Sequence, residues 1–153
     1  MTGKRTAYSL AEMILVVMIL GALAFIAIPR LNFAAIHHKQ AHAVAKTIVT
    51  DLRRTRTLAI VNAAANQNGF TLRIDGSSYQ IINNNTPPGE TVPNSQQTIP
   101  PQVTCEGGPD FTFGPLGNLT SSGTQLKVSD KDKDRTYIIT VIPGTGIAEC
   151  TGG

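Results

Sequence analysis

The side chains in this chain whose types could do chemistry fall into a few groups, and most lack the spacing that chemistry requires. His38 and His42 stand at i and i+4 with His37 beside them, the interval at which one helical face grips a metal ion. No Cys or carboxylate shares their turn and the Glu of the helical zinc motif is missing, so no metal site is expected. Alternating Asp130, Asp132 and Asp134 suggest calcium, but the run has no Gly at its sixth position and no distant bidentate Glu. Lys131 and Lys133 also compete for the charge, so the run reads as a solvated hairpin tip. Arg53, Arg54 and Arg56 point in three directions around a helix and read as a solvated face rather than a phosphate-binding patch. Cys105 and Cys150 have no plausible catalytic His, and there is neither a nucleophile elbow nor a phosphate-cradling glycine loop. The chain is expected not to be an enzyme, with no catalytic residue and no cofactor.

Glu12 is the exception. It precedes Met13 to Pro29, seventeen consecutive residues without an ionisable group. Extended back to Tyr8, the segment would rise about 33 Å as a helix, enough to cross a hydrocarbon core of about 30 Å with Glu12 inside it. A carboxylate there costs roughly 3 kcal/mol on insertion scales, so a partner is needed, and the chain itself offers none. The competing reading leaves Glu12 solvated at the interfacial edge. A cleaved secretory signal fits less well, because Pro29 and Arg30 are not a small-residue cleavage site and the helical pattern continues past them. Lys4 and Arg5 predict a cytoplasmic amino terminus, with everything after Arg30 on the other side.

The elements that must position these groups follow from composition and period. Charged residues are only 15% of 153, below the ~25% of ordinary soluble domains, because of the apolar tract. The net charge of +3 falls to +1 without residues 1–7, and there is no Trp, so nucleic acid is an unlikely partner. Pro29 should kink the helix. Beyond it Ala41, Val44, Ala45, Ile48, Leu52, Thr55, Ala59 and Ala63 share one face, with Lys46 and Arg53 opposite. Asn66, Asn68 and Gly69 should stop a helix that runs from about Ser9 to Gln67. Residues 68–153 read as strands: Phe70 to Ile74 and Tyr79 to Ile82 around an Asp75-Gly76 turn, Thr124 to Val128 with Arg135 to Ile142, and a short Ile147 to Cys150. Residues 83–110, with six prolines, read as a long surface loop with little structure of its own. Cys105 and Cys150, an even pair on the outward segment, predict a disulfide worth roughly 4 kcal/mol in the loop-entropy model.

Lys4 to Glu12, the apolar run and Ile28-Pro29-Arg30-Leu31 resemble the class III leader and stem of type IV prepilins and pseudopilins. The resemblance implies that a prepilin peptidase cuts between Ala7 and Tyr8 and that the new amine of Tyr8 is N-methylated. Glu12 then becomes the fifth mature residue, the assembly acid that pairs with the amine of a neighbouring subunit. Ala7, likewise small, stands where the family usually has Gly. Cutting after Gly3 would leave Lys4 first and displace the acid by four places.

Residues 51–64, Phe70-Thr71-Leu72, Phe111 to Gly117, and Ile138 to Val141 leading to Gly144 to Ala148 are similar to the GspH/FimT branch of minor pseudopilins and pilins. That resemblance implies an α+β, pilin-like fold, a long N-terminal α-helix packed on a mostly antiparallel C-terminal β domain. Its organisation would be a leader (1–7), a transmembrane and assembly helix (8–29), an amphipathic stem (30–67) and the β domain (68–153). It implies a structural minor pseudopilin of a type II secretion pseudopilus, single-pass in the inner membrane with its C-terminal domain periplasmic or extracellular, then in a filament. Other pseudopilins, the prepilin peptidase, the inner membrane and secreted substrate proteins are the implied partners. The alternatives are a minor type IV pilin for pilus assembly or DNA uptake and a membrane-anchored binding module that never enters a filament. The DNA reading is weakened by the absence of Arg or Lys after Arg135.

Overall fold

The computed structural model describes residues 9–27, 33–85, 88–108, 110–131 and 135–152, with side chains throughout except at 26–27 and 33–37. The chain divides into two compact units, Met1–Ala34 and Ala35–Gly153.

The first unit contains α1, Leu10–Ala27. Ser9 caps it: its hydroxyl accepts the Ala11 N–H at 3.2 Å, and its carbonyl accepts the N–H groups of Glu12 and Met13. Glu12 in the first turn is placed favourably toward the positive end of the helix dipole. Apolar residues occupy every side of α1 and are exposed, from Leu10 at 78% to Phe25 at 81%.

The second helix, α2 (Phe33–Val61), is amphipathic. Its expected stripe is where the core forms: Ala41, Ala45, Ile48, Leu52, Thr55 and Ala59 are fully buried, with Val49 beside them, and Val44 packs at the margin. Nine strands among the described residues make two antiparallel sheets. Sheet A takes β1 (Phe70–Asp75), β2 (Ser78–Asn83), β3 (Glu90–Thr91), β4 (Gln97–Thr98) and β6 (Asp110–Phe113), ordered β3-β2-β1-β6 with β4 also on β2. Sheet B takes β5 (Val103–Gly107), β7 (Gln125–Asp130), β8 (Thr136–Val141) and β9 (Ala148–Gly152), ordered β5-β7-β8-β9. Alternation decides which side chains enter the core. In sheet A, Leu72 stands opposite Ile81 on one side and Phe111 on the other. In sheet B, Leu126 stands opposite Ile139, and Val128 opposite Tyr137. These join the α2 stripe in one hydrophobic cluster.

The architecture corrects several expectations. One long N-terminal helix packed on a β domain does not form. Instead there are two separate helices, and α2 ends at Val61, not Gln67. Pro29 lies outside the described residues, but its chemistry supplies a reason: without an N–H it penalises an uninterrupted helix by about 3 kcal/mol. The stop chemistry is real but wider than expected. Asn62 to Ala65 form turns, and the buried Asn66 amide donates to the Gly69 carbonyl and to Asn83 Oδ1, both at 2.7 Å. Gly69, at φ 70°, brings its backbone so close to the Phe113 carbonyl that a Cβ could not fit.

The single-pass inner-membrane placement is likewise overturned: among the described residues no helix is long and apolar enough to cross a membrane. The 18 residues of α1 rise about 27 Å, short of a hydrocarbon core of about 30 Å. Residues 83–110 are not a loop without structure, since they hold β3, β4 and all of β5. Their prolines mask short strands that lean on β2 and β7.

Candidate functional site

Of the residues with assigned roles, Glu12, Cys105 and Cys150 are among the described residues. Ala7, Tyr8 and Pro29 lie outside the described residues. Glu12 sits exposed on α1, amid eleven exposed large apolar side chains of that helix, from Leu10 to Phe25. Two shallow apolar grooves run along it, one lined by Ala11, Ile14, Leu15, Met18, Ile19 and Ala22, the other by Leu10, Met13, Val17 and their neighbours. Among the described residues of α1, Glu12 is the one ionisable side chain on this surface.

The disulfide is a second correction. Cys105 and Cys150 are both free thiols. Cys105 is on β5 and Cys150 on β9, with β7 and β8 between them. Three inter-strand steps put them about 14 Å apart, twice the roughly 7 Å that a bridge tolerates between Cα atoms. Cys105 is half-buried against the core, and burial pushes its thiol up to about 11. Cys150 is exposed at a cleft of about 330 Å³ between α2 and β9, lined by Lys46, Val49, Thr50 and Arg53. Partial burial raises its thiol, opposed by the positive charge of Lys46.

Two buried polar contacts were missed by sequence reasoning. Asp130, assigned to a solvated tip, is fully buried: its Oδ2 lies 2.7 Å from His38 Nδ1, and its Oδ1 accepts the Arg135 N–H. The signal was present, because the alternation that sends Leu126 and Val128 inward sends Asp130 inward too. Asp132 and Asp134 lie outside the described residues. Tyr79 donates its hydroxyl to Asp51 Oδ2 at 2.9 Å. Desolvation first, then the hydrogen bond and charge of Asp51, push its phenol above the usual range. Both contacts tie α2 to a sheet, Asp130 to sheet B and Tyr79 to sheet A.

The arginines are also more occupied than a solvated face implies. Arg56 is half-buried and donates Nε–H to the Gly117 carbonyl at 3.2 Å, while Arg53 reaches the Ala148 carbonyl at 3.4 Å. His42 stacks on Tyr137 with ring centroids 5.2 Å apart. Among the described residues no group of three or more His, Cys, Asp or Glu side chains is arranged to hold a metal ion. No family model, no curated protein and no solved structure matches this chain.

Proposed function

We propose that the chain is a structural subunit, a minor pseudopilin of a type II secretion pseudopilus, which joins a filament through α1. The observation that carries this reading is the contrast between a helix apolar on every side and a folded unit that satisfies its own core. Eleven large apolar side chains on α1 stand exposed, and no face of α1 is polar enough to be a natural solvent face. A surface of that kind aggregates unless other chains cover it, and apolar helices of neighbouring subunits are the cover a filament supplies. Glu12, the one ionisable group in α1, would set register between such helices by pairing with a cation of a neighbour. On this reading the cation is the amine of Tyr8, freed by cleavage after Ala7 and then methylated, which retains its charge. Secreted proteins and other pseudopilins are the corresponding partners.

The test is Glu12→Gln in the full chain. Sedimentable filament carrying the protein is expected to fall at least about ten-fold, the consequence of losing roughly 1.4 kcal/mol at each junction. Intact mass of the wild-type protein purified from its cells should show residues 1–7 gone and one methyl added. Unchanged polymer in the Gln variant, or a retained leader, overturns the reading.

A further inference from the structure

The second unit has an exposed apolar end that its own core does not use. Where α2 finishes, Ile60 and Val61 face solvent, Val61 at 73%. The turn after β6 presents Leu116 at 86%, and the turn between β8 and β9 presents Ile142 and Ile147, each partly exposed. These three segments meet. Ile60 packs so tightly on Gly117 that a Cβ there would lie 2.7 Å from its Cδ1, and Gly146 abuts the Gly117 carbonyl with the Arg56 stem alongside. The Ile142 N–H donates to the Ile147 carbonyl, and the Leu119 N–H donates to the Pro143 carbonyl, closing the two turns on each other. Gly117 and Gly146 both hold positive φ, at 78° and 66°, so only glycine fits this junction and the apolar tips are held in fixed places.

The exposed Arg53 and Arg54 lie along α2 ahead of this end, and the exposed Glu149 follows Ala148 on β9. Arg54 and Val61 stand two turns apart on one side of α2, as do Arg53 and Ile60, so cations border the apolar tips along the helix. Among the described residues of the second unit no Trp or exposed Tyr marks a bilayer interface: Tyr79 and Tyr137 are both buried. A preorganised apolar cluster bordered by arginine fits a protein surface better than a lipid one, because fixed side chains lose little entropy on docking. We infer that this end of the second unit is a docking surface for a partner protein, and that the complementary segment carries carboxylates together with apolar side chains. The carboxylates would meet Arg53 and Arg54, and the apolar groups would cover Leu116, Val61 and Ile147. The inference rests on the second unit alone and does not need α1 to enter a filament.

The experiment places a photoreactive amino acid at Leu116 and, in a separate protein, at Val61 of the full chain produced in its own cells. Both positions are expected to crosslink to the same polypeptide, at a segment where Asp or Glu and large apolar residues lie within a few positions of each other. Arg54→Glu should cut the adduct yield about ten-fold, as loss of one bordering charge pair at an apolar interface does, and Arg54→Lys should restore most of it. Arg54 is exposed, so neither change threatens the fold. Adducts to lipid, adducts scattered over unrelated proteins, a crosslinked segment without carboxylates, absence of adducts, or a yield indifferent to Arg54→Glu each overturn the inference.

Discussion

The two helices of this chain use apolar residues in opposite ways. In α2 they recur at helical period on one face, and that face is buried against both sheets. In α1 they occupy every side, and all of them from Leu10 to Phe25 are exposed. Periodicity in a helix records a choice of one face for the protein's own core. In α1 no single face is singled out in this way. The same few kinds of apolar side chain are therefore patterned for a core in one helix and left without a preferred face in the other. Substitutions should separate the two.

The largest effect is expected at the centre of the α2 stripe. Leu52 is fully buried, and Leu52→Ala should lower unfolding free energy by about 3 kcal/mol, measured as a shift in the urea midpoint at constant slope. A loss below about 1 kcal/mol would mean that the stripe is not the core of the second unit. Next in size comes the polar tie near the start of α2. His38→Ala leaves the Asp130 carboxylate without the group at 2.7 Å and should cost about 2 kcal/mol. Pairing it with Asp130→Asn should return part of the loss, since the penalty arises from a buried polar oxygen that has lost its neighbour. If the double variant is no better than the single, the contact is packing rather than electrostatics.

These two sites also show what can and cannot be read from one sequence. The α2 stripe was legible because Ala41, Ala45, Ile48, Leu52 and Ala59 repeat with the turn of the helix, and local period needs no knowledge of the rest of the fold. Strands β1, β2, β7, β8 and β9 were legible for the same reason. Asp130 was misread although its evidence was local: charge outweighed alternation in the reading, and in the fold alternation won. The disulfide was out of reach, because whether Cys105 meets Cys150 depends on strand order in sheet B, and no spacing encodes that β7 and β8 pass between them. The short β3 and β4 pair only through two residues each, too few for any pattern to declare. The docking end is built from turns distant in sequence and was legible only as separate apolar residues.

A smaller effect concerns the two thiols, which sharpen the contrast between what belongs to the core and what faces outward. Iodoacetamide at pH 8 should modify Cys150 well before Cys105, read by peptide mass, because Cys105 is held up at about 11 by burial while Cys150 is exposed. The sign for stability follows. The folded unit keeps Cys105 neutral more firmly than the unfolded chain does, with its ordinary value of 9.0. That contribution is full below about pH 9 and is lost as pH rises through about 11. Urea midpoints should therefore fall over this window, and Cys105→Ala should make the fall shallower. Equal modification rates would show that β5 opens readily at its edge of sheet B.

The smallest stability effect is the most telling for the comparison. Ile19 has the same chemistry as the buried Ile48, but it lies on α1 and is exposed. Ile48→Asn would bury an unsatisfied amide and empty part of the core; Ile19 lies outside that core cluster. The expected change in unfolding free energy of the second unit for Ile19→Asn is within about 0.5 kcal/mol, the range of ordinary surface substitutions. Association of the full chain should weaken at the same time, visible as a lower sedimentation coefficient at equal protein concentration, because a polar amide now interrupts the apolar face that other helices would cover. If Ile19→Asn instead destabilises the second unit as much as a core substitution does, α1 belongs to the chain's own fold. Its uniform apolar surface would then be explained by intramolecular packing, without any second molecule.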